Sequence, residues 1–146
     1  MKKKIITEII CSLIAVLFLY TGLSKLISHE VFRIQLIKHP LLRDYAYIIS
    51  WLIPLMEIAI VLLIAIPATR LPGLVSFMVV MTGFTGYLIH MVVGYKHLPC
   101  SCGGIISRLS WSQHIYLNLV FILLAIIAIR FNSAIIGKGN SMIAKE

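Results

Sequence analysis

The chain contains four long apolar segments, separated by shorter stretches that hold most of its charge. A membrane-spanning helix needs about 20 predominantly apolar residues, because the hydrocarbon core is about 30 Å thick and each residue rises about 1.5 Å. The segments meet this length, and none shows the alternation of apolar and polar residues that a barrel strand requires. The pattern predicts an all-α, four-helix transmembrane bundle. It forms a single integral membrane domain over residues 1–146, with spans at approximately 5–26, 48–66, 71–95 and 109–129.

Composition excludes a water-soluble fold of this size. The chain is 60% hydrophobic and 12% charged, with a mean hydropathy of +1.02, whereas soluble domains carry roughly 25% charged residues. The net charge of +8 would suit nucleic acid, but no basic stripe interleaved with aromatic residues provides a phosphate-binding face. We therefore interpret the excess of lysine and arginine as charge that flanks the membrane, and we expect a lipid bilayer, not nucleic acid, as the partner.

Basic residues near the span ends predict the orientation, because Lys and Arg resist translocation. Lys2, Lys3 and Lys4 stand directly before the first span, and the other basic residues divide almost evenly between the two sides. We predict that both termini are cytoplasmic, in a membrane of the bacterial inner (cytoplasmic) type, and that the connections 27–47 and 96–108 lie outside. Connection 27–47 mixes apolar and charged residues, which predicts a short helix in the membrane interface, ended by Pro40.

The second outer connection carries the sharpest chemical signal, namely Cys100 and Cys102 between Pro99 and two glycines. A disulfide between cysteines at this spacing closes a small ring, which strains the C–S–S–C torsion. Strained and exposed disulfides are the labile and catalytic ones, and the extracytoplasmic side permits disulfide chemistry. The pattern favours a catalytic thiol–disulfide pair, with Lys96, His97 or His114 as the cation that would promote thiolate formation.

Two other interpretations of these cysteines stay open. His97 stands three residues before Cys100, and thiolates with imidazole suit zinc or copper(I). Structural zinc sites usually have four ligands and wider cysteine spacing, so His90 or His114 would have to complete a site made by His97, Cys100 and Cys102. Alternatively, the two cysteines form a structural disulfide that only fixes the loop, and the protein is a non-catalytic membrane assembly factor.

Glu57 is the one formal charge inside the second span. A charge there costs about 2.5–3.5 kcal/mol on insertion scales, so the carboxylate needs a cation or a proton. Lys25, at the outer end of the first span, is the expected cation, although helices that end level would leave about 13 Å between them along the membrane normal. His90, His114 and Asn118 fall in the same leaflet, and the last two share a helix face. We expect these five residues to form a supporting polar pocket that opens outward, with a structural and a functional role for Glu57 equally open.

The chain resembles the DoxX-like membrane proteins, and specifically the MauE branch, in FLYTGLSKL (18–26), PLME (54–57), CSCGG (100–104) and the later Asn118. The resemblance covers all four spans, and the chain departs from the branch's common Cys-x-Cys-Phe-Gly at Gly103. The resemblance implies a redox-associated membrane protein. MauE is linked to maturation of the disulfide-rich small subunit of methylamine dehydrogenase, which implies here a general role in the disulfides of exported proteins.

The partners that follow from this interpretation are exported cysteine-containing proteins or a thioredoxin-like protein. Cys11, inside the first span, is the remaining cysteine of the chain, so the loop cysteines have no second pair to relay electrons. The electrons must therefore leave to another protein or directly to a membrane quinone. Four-helix disulfide-generating enzymes use a quinone in such bundles, but they carry additional cysteines that this chain lacks. The sequence leaves open whether the protein is itself an enzyme.

Overall fold

The computed structural model describes residues 2–39, 41–94 and 111–143. Five α-helices occupy most of this part of the chain, and short 3₁₀ turns at Arg43–Tyr45 and Pro67–Thr69 lead into the third and fourth of them. The described residues contain no β-strand, in agreement with the predicted all-α class. The helices are α1 Lys2–Ile27, α2 His29–Ile37, α3 Ala46–Ala65, α4 Arg70–Gly94 and α5 Trp111–Ile143.

Four stretches of the described residues are long and apolar enough to cross a membrane, as the sequence predicts: Lys2–Ile27, Arg43–Ala65, Pro67–Gly94 and Ser112–Asn132. Many of their large apolar side chains face outward, such as Val16 at 66% and Leu62 at 60% exposure. A soluble monomer rarely exposes so much contiguous apolar surface to water. Contact with lipid acyl chains avoids the unfavourable hydration free energy of that surface. Helix α5 continues beyond the predicted end of the fourth span, because extending a formed helix is easier than nucleating one.

The four long helices form a closed ring in which α1 packs against α3 and α5, and α4 packs against the same two helices. Arg70 at the start of α4 pairs with Glu8 near the start of α1, with Nη1 and Oε1 2.7 Å apart. Lys3 lies 5.6 Å from the ring centroid of Phe131 in α5. These contacts place the start of α1 and the α3–α4 turn at one end of the bundle, called here the inner end after the predicted orientation.

The inner half of the bundle is a packed apolar core. Gly73 allows α4 to approach α3 closely, since a Cβ atom there would lie 2.9 Å from the Ile64 backbone nitrogen. The rings of Phe18 and Phe77 meet with their centroids 4.6 Å apart. Burial of these side chains fixes the ring of helices at this end. The core consists of Ile10, Cys11, Ile14, Phe18, Ile60, Ile64, Leu74, Phe77, Met81, Ala125 and Ala128.

Helix α2 covers the outer half of α3. Phe32 and Leu36 are buried against Ala46 and its neighbours, while Val31 and Ile34 on the other side of α2 are exposed. The short helix predicted between the first two spans is therefore confirmed, and its place in the membrane interface stays a prediction. The helix ends at Ile37, and Pro40, which was expected to end it, lies outside the described residues.

Candidate functional site

A buried ion pair joins the first two spans. Lys25 Nζ donates hydrogen bonds to both carboxylate oxygens of Glu57, at 2.7 and 2.9 Å, and the two residues are 8% and 7% exposed. The ammonium also lies 5.9 Å from the ring centroid of Phe32 in α2. The pairing that the sequence predicts is thus present, and each charge offsets part of the cost of placing the other inside a span.

The gap of about 13 Å that level helix ends would leave does not exist, because the two helices do not end level. The last turn of α1 lies beside the middle of α3, while α2 covers the part of α3 that extends beyond it. Gly22 faces Glu57, and a Cβ atom at this glycine would lie 3.4 Å from both the Glu57 Cβ and Oε2 atoms. The missing side chain therefore leaves room for the carboxylate one turn away from Lys25.

The ion pair borders a cavity of about 460 Å³ in the outer half of the bundle. This volume lies in the range of about 300–1,000 Å³ that small-molecule sites occupy. Most of the wall is apolar. Among the described residues, Lys25 and Glu57 are the only lysine and acidic side chains that line it, so their charges cancel. The polar side chains of the wall are Thr21, Lys25, Gln35, His39, Glu57, Tyr87, His114 and Asn118.

Four rings form one side of this cavity, and we call them the aromatic wall: His39, Phe84, Tyr87 and His114. Phe84 and Tyr87 are nearly parallel, at 23° with their centroids 6.5 Å apart. Phe84 meets the His114 ring edge-on at 5.7 Å, and His39 meets the Tyr87 ring edge-on at 6.0 Å. The aromatic wall therefore places four rings, in parallel and edge-on contact with one another, against the cavity.

His114 and Asn118 lie one turn apart on α5 and are only 4% and 3% exposed. Within the described part of the chain, His114 Nδ1 and Asn118 Nδ2 have no hydrogen-bond partner. An unpaired buried group of this kind costs about 1–3 kcal/mol. The terminal torsion of an asparagine is soft, and a half-turn exchanges its nitrogen and oxygen, so this side chain can present a donor to the cavity.

His90 does not belong to this site, and the prediction that it lines the pocket is wrong. It is exposed, whereas Met81, Thr85 and Leu88 of the same helix are buried. His90 follows Leu88 by two residues, which places it roughly 200° around the helix and away from the cavity. The structure brings together the other four residues of the predicted pocket, namely Lys25, Glu57, His114 and Asn118.

The predicted thiol pair, Cys100 and Cys102, lies outside the described residues, as does His97 of the metal alternative. The described residues contain no group of three or more His, Cys, Asp or Glu side chains that could hold a metal ion. The roles predicted for the loop residues therefore stay predictions.

Sequence reasoning missed His39 and Tyr87 as residues of the cavity wall. His39 is buried and follows Phe32 by seven residues and Leu36 by three, which continues the spacing of one helix face beyond the end of α2 at Ile37. Exposed apolar residues on the opposite side of α2 hid that signal. Tyr87 stands in a span that is apolar on all sides, where the sequence does not show which face is inside.

The fold and the cavity define an integral membrane protein, a four-helix bundle with a largely apolar pocket and a buried ion pair between its spans. Residues 3–131 match the family described as methylamine utilisation protein MauE. The chain belongs to this family, as the resemblance implied. No curated protein and no solved structure was found to match the chain.

Proposed function

We propose that the protein is a thiol–disulfide redox protein of the bacterial inner membrane, which supports disulfide formation or maturation in exported proteins. The observation that carries the proposal is the pair of cysteines, Cys100 and Cys102, in the connection between the third and fourth spans of a MauE-family membrane protein. The family description names methylamine utilisation, and the role proposed for this chain is the more general one.

The chemistry begins with a disulfide between Cys100 and Cys102. A thiolate of the exported protein attacks one of these sulfurs and forms a mixed disulfide, and a second thiolate of the exported protein then displaces it. The exported protein gains a disulfide, and Cys100 and Cys102 are left as two thiols. Their return to the disulfide releases two electrons and two protons. A membrane quinone supplies the two-electron, two-proton acceptor that this step requires, and becomes the quinol.

The connectivity of the chain supports a link between the cysteines and the cavity. The connection that carries Cys100 and Cys102 begins after Gly94 and ends before Trp111. Those helix ends belong to the outer half of the bundle, in which Tyr87 and His114 line the cavity. An acceptor bound there would be at the same end of the protein as the thiols.

Single and double cysteine variants test the proposal in cells. In Cys100→Ser or Cys102→Ser, no internal disulfide can form, but the remaining thiolate can still attack a disulfide of an already oxidised exported protein and release one of its thiols. The variant has no second loop thiol to resolve the mixed disulfide, which should therefore accumulate. Cells are quenched in acid, thiols are alkylated, and adducts are separated without reductant and identified by mass spectrometry. The double variant, which retains Cys11, is the matched control and should form no adduct. Normal accumulation of both single variants without any adduct would refute the proposal.

A further inference from the structure

We propose that the cavity in the outer half of the bundle binds the ring of a lipid-soluble quinone, with Asn118 and His114 as hydrogen-bond donors to its carbonyl oxygens. The inference rests on the proposed function for its biological meaning, because it assigns a place to the electron acceptor. Binding itself requires only residues of the described helices, and it can be measured without any thiol chemistry.

His114 and Asn118 line the cavity, and a buried nitrogen of each has no partner among the described residues. The side-chain amide nitrogen of asparagine is a donor only, and a half-turn of its soft terminal torsion would bring it to an acceptor in the cavity. A neutral imidazole can carry its proton on either nitrogen, so His114 can donate as well. A quinone ring is flat, uncharged and edged by two carbonyl acceptors. Its faces suit the aromatic wall, where the nearly parallel rings of Phe84 and Tyr87 lie next to the edge-on ring of His114.

The charge of the wall argues against a phospholipid headgroup as the occupant. Both oxygens of Glu57 accept from Lys25 at 2.7 and 2.9 Å, so the ammonium is already neutralised. Among the described residues, no arginine lines the cavity. A phosphate would therefore be desolvated in an apolar pocket without a cation to compensate it, which is strongly unfavourable.

The cavity also reaches the lipid-facing surface. Val79 of α4 lines it and is 64% exposed. Gly83 lines it one turn further along α4, and a Cβ atom there would meet no heavy atom within 4 Å. Both residues also border Ile122 and Ile126 of α5, and we call Val79 and Gly83 the side opening. A molecule dissolved in the bilayer can pass through an apolar opening at this depth and leave its hydrocarbon tail in the lipid.

A photoreactive azido benzoquinone with a ten-carbon tail tests the site on the purified full-length protein in phosphatidylcholine nanodiscs. We expect covalent labelling of α4 and α5 peptides that line the cavity, and displacement by excess decylubiquinone. Asn118→Leu should lower the labelling about tenfold, which corresponds to one hydrogen bond. Gly83→Leu should block the side opening and abolish most of the labelling.

Gly86→Leu is the matched control, since Gly86 is on the same helix, is also exposed and also has open space around it, but does not line the cavity. Both leucine substitutions raise helix propensity equally, so a difference between them reports on the cavity. If Asn118→Leu does not fold, the labelling of Gly83→Leu compared with that of Gly86→Leu is sufficient to show whether the cavity binds the quinone.

Equal labelling of all variants would overturn the assignment, as would labelling confined to cysteines or to outward-facing residues. Displacement by a fatty acid or phosphatidylglycerol as effectively as by decylubiquinone would also overturn it, in favour of a lipid site. The Cys100→Ser/Cys102→Ser variant should label normally. Labelling with no mixed disulfide would refute the proposed function alone, and a mixed disulfide without labelling would refute the quinone site alone.

Discussion

Lys25→Met and Glu57→Gln each leave one buried charge of the first two spans without its partner. The two side chains are only 9% and 10% exposed in the intact pair. Removing one member of a buried pair costs about 3–5 kcal/mol, because the remaining charge keeps its desolvation penalty and loses the attraction that offset it. Since about 1.4 kcal/mol is a factor of ten, the unfolded fraction of either variant should rise by about a hundredfold or more.

The two single variants should differ in a direction that the fold determines. Lys25 is close to the end of α1 at Ile27, so in Glu57→Gln its long side chain can turn toward the outer end of the bundle and reach water. Glu57 stands in the middle of α3 and has a short side chain, so Lys25→Met leaves it in place. We expect Lys25→Met to be the less stable of the two, and the double variant to recover most of the loss.

The chain supplies its own control, a second ion pair of similar geometry at the inner end. Arg70 donates to both carboxylate oxygens of Glu8 at 2.7 and 3.1 Å, and the side chains are 11% and 47% exposed, respectively. Glu8 stands near the start of α1 and Arg70 at the start of α4, so both are closer to an end of the bundle than Glu57 is. Glu8→Gln should therefore lower stability less than Glu57→Gln, because Arg70 can turn toward water, although both variants remove the same number of hydrogen bonds.

Folded yield and thermal unfolding of the detergent-solubilised variants, followed by fluorescence-detected size exclusion, measure these differences. A Glu57→Gln variant as stable as Glu8→Gln, or a double variant no more stable than Lys25→Met, would contradict a stabilising role of the buried pair. A different pattern would assign Glu57 to proton handling. In that case Glu57→Gln accumulates normally but loses redox function, and the double variant does not restore it.

Three further predictions concern the loop cysteines, His97 and Gly73. A membrane-impermeant maleimide should label reduced Cys100 or Cys102 in intact spheroplasts and leave Cys11 unlabelled, and labelling only after lysis would reverse the predicted orientation. Purified protein should contain substoichiometric zinc and copper, and His97→Ala should retain function in cells, whereas one tight metal lost in that variant would favour metal handling. Gly73→Ala should lower stability by about 1–3 kcal/mol, measured by thermal unfolding, because its Cβ atom has no room against α3.

The fold could be predicted because a bilayer imposes a length on every helix that crosses it. Each of the four apolar segments forms a helix in the structure. At most of the span ends, the observed helix boundary differs from the predicted one by only a few residues. The largest difference is the end of α5 at Ile143. The membrane sets how long an apolar segment must be, but it does not determine where the helix stops once it has left the lipid.

The candidate site was only partly predictable, and the reason is again the bilayer. A lone charge such as Glu57 must find a partner, so its pairing with Lys25 could be inferred from two residues far apart in the sequence. The orientation of a span about its own axis could not, because lipid-facing and core-facing positions are both apolar. His90 and Tyr87 are three residues apart on α4, yet Tyr87 lines the cavity and His90 is exposed.

The two halves of the bundle have different consequences for mutation. The inner half is filled by apolar side chains, so substitutions of the core residues that do not line the cavity, such as Ile14 or Leu74, should change stability alone. In the outer half, Lys25 and Glu57 hold α1 to α3 and also keep the cavity wall electrically neutral. A variant of either residue therefore alters stability and ligand preference together, and its loss of function has no single cause. Asn118 and Gly83 line the cavity without belonging to the ion pair. Gly83 is exposed, so Gly83→Leu compared with Gly86→Leu reports on ligand binding separately from the stability of the bundle, and Asn118→Leu does so where its thermal unfolding matches that of the wild type.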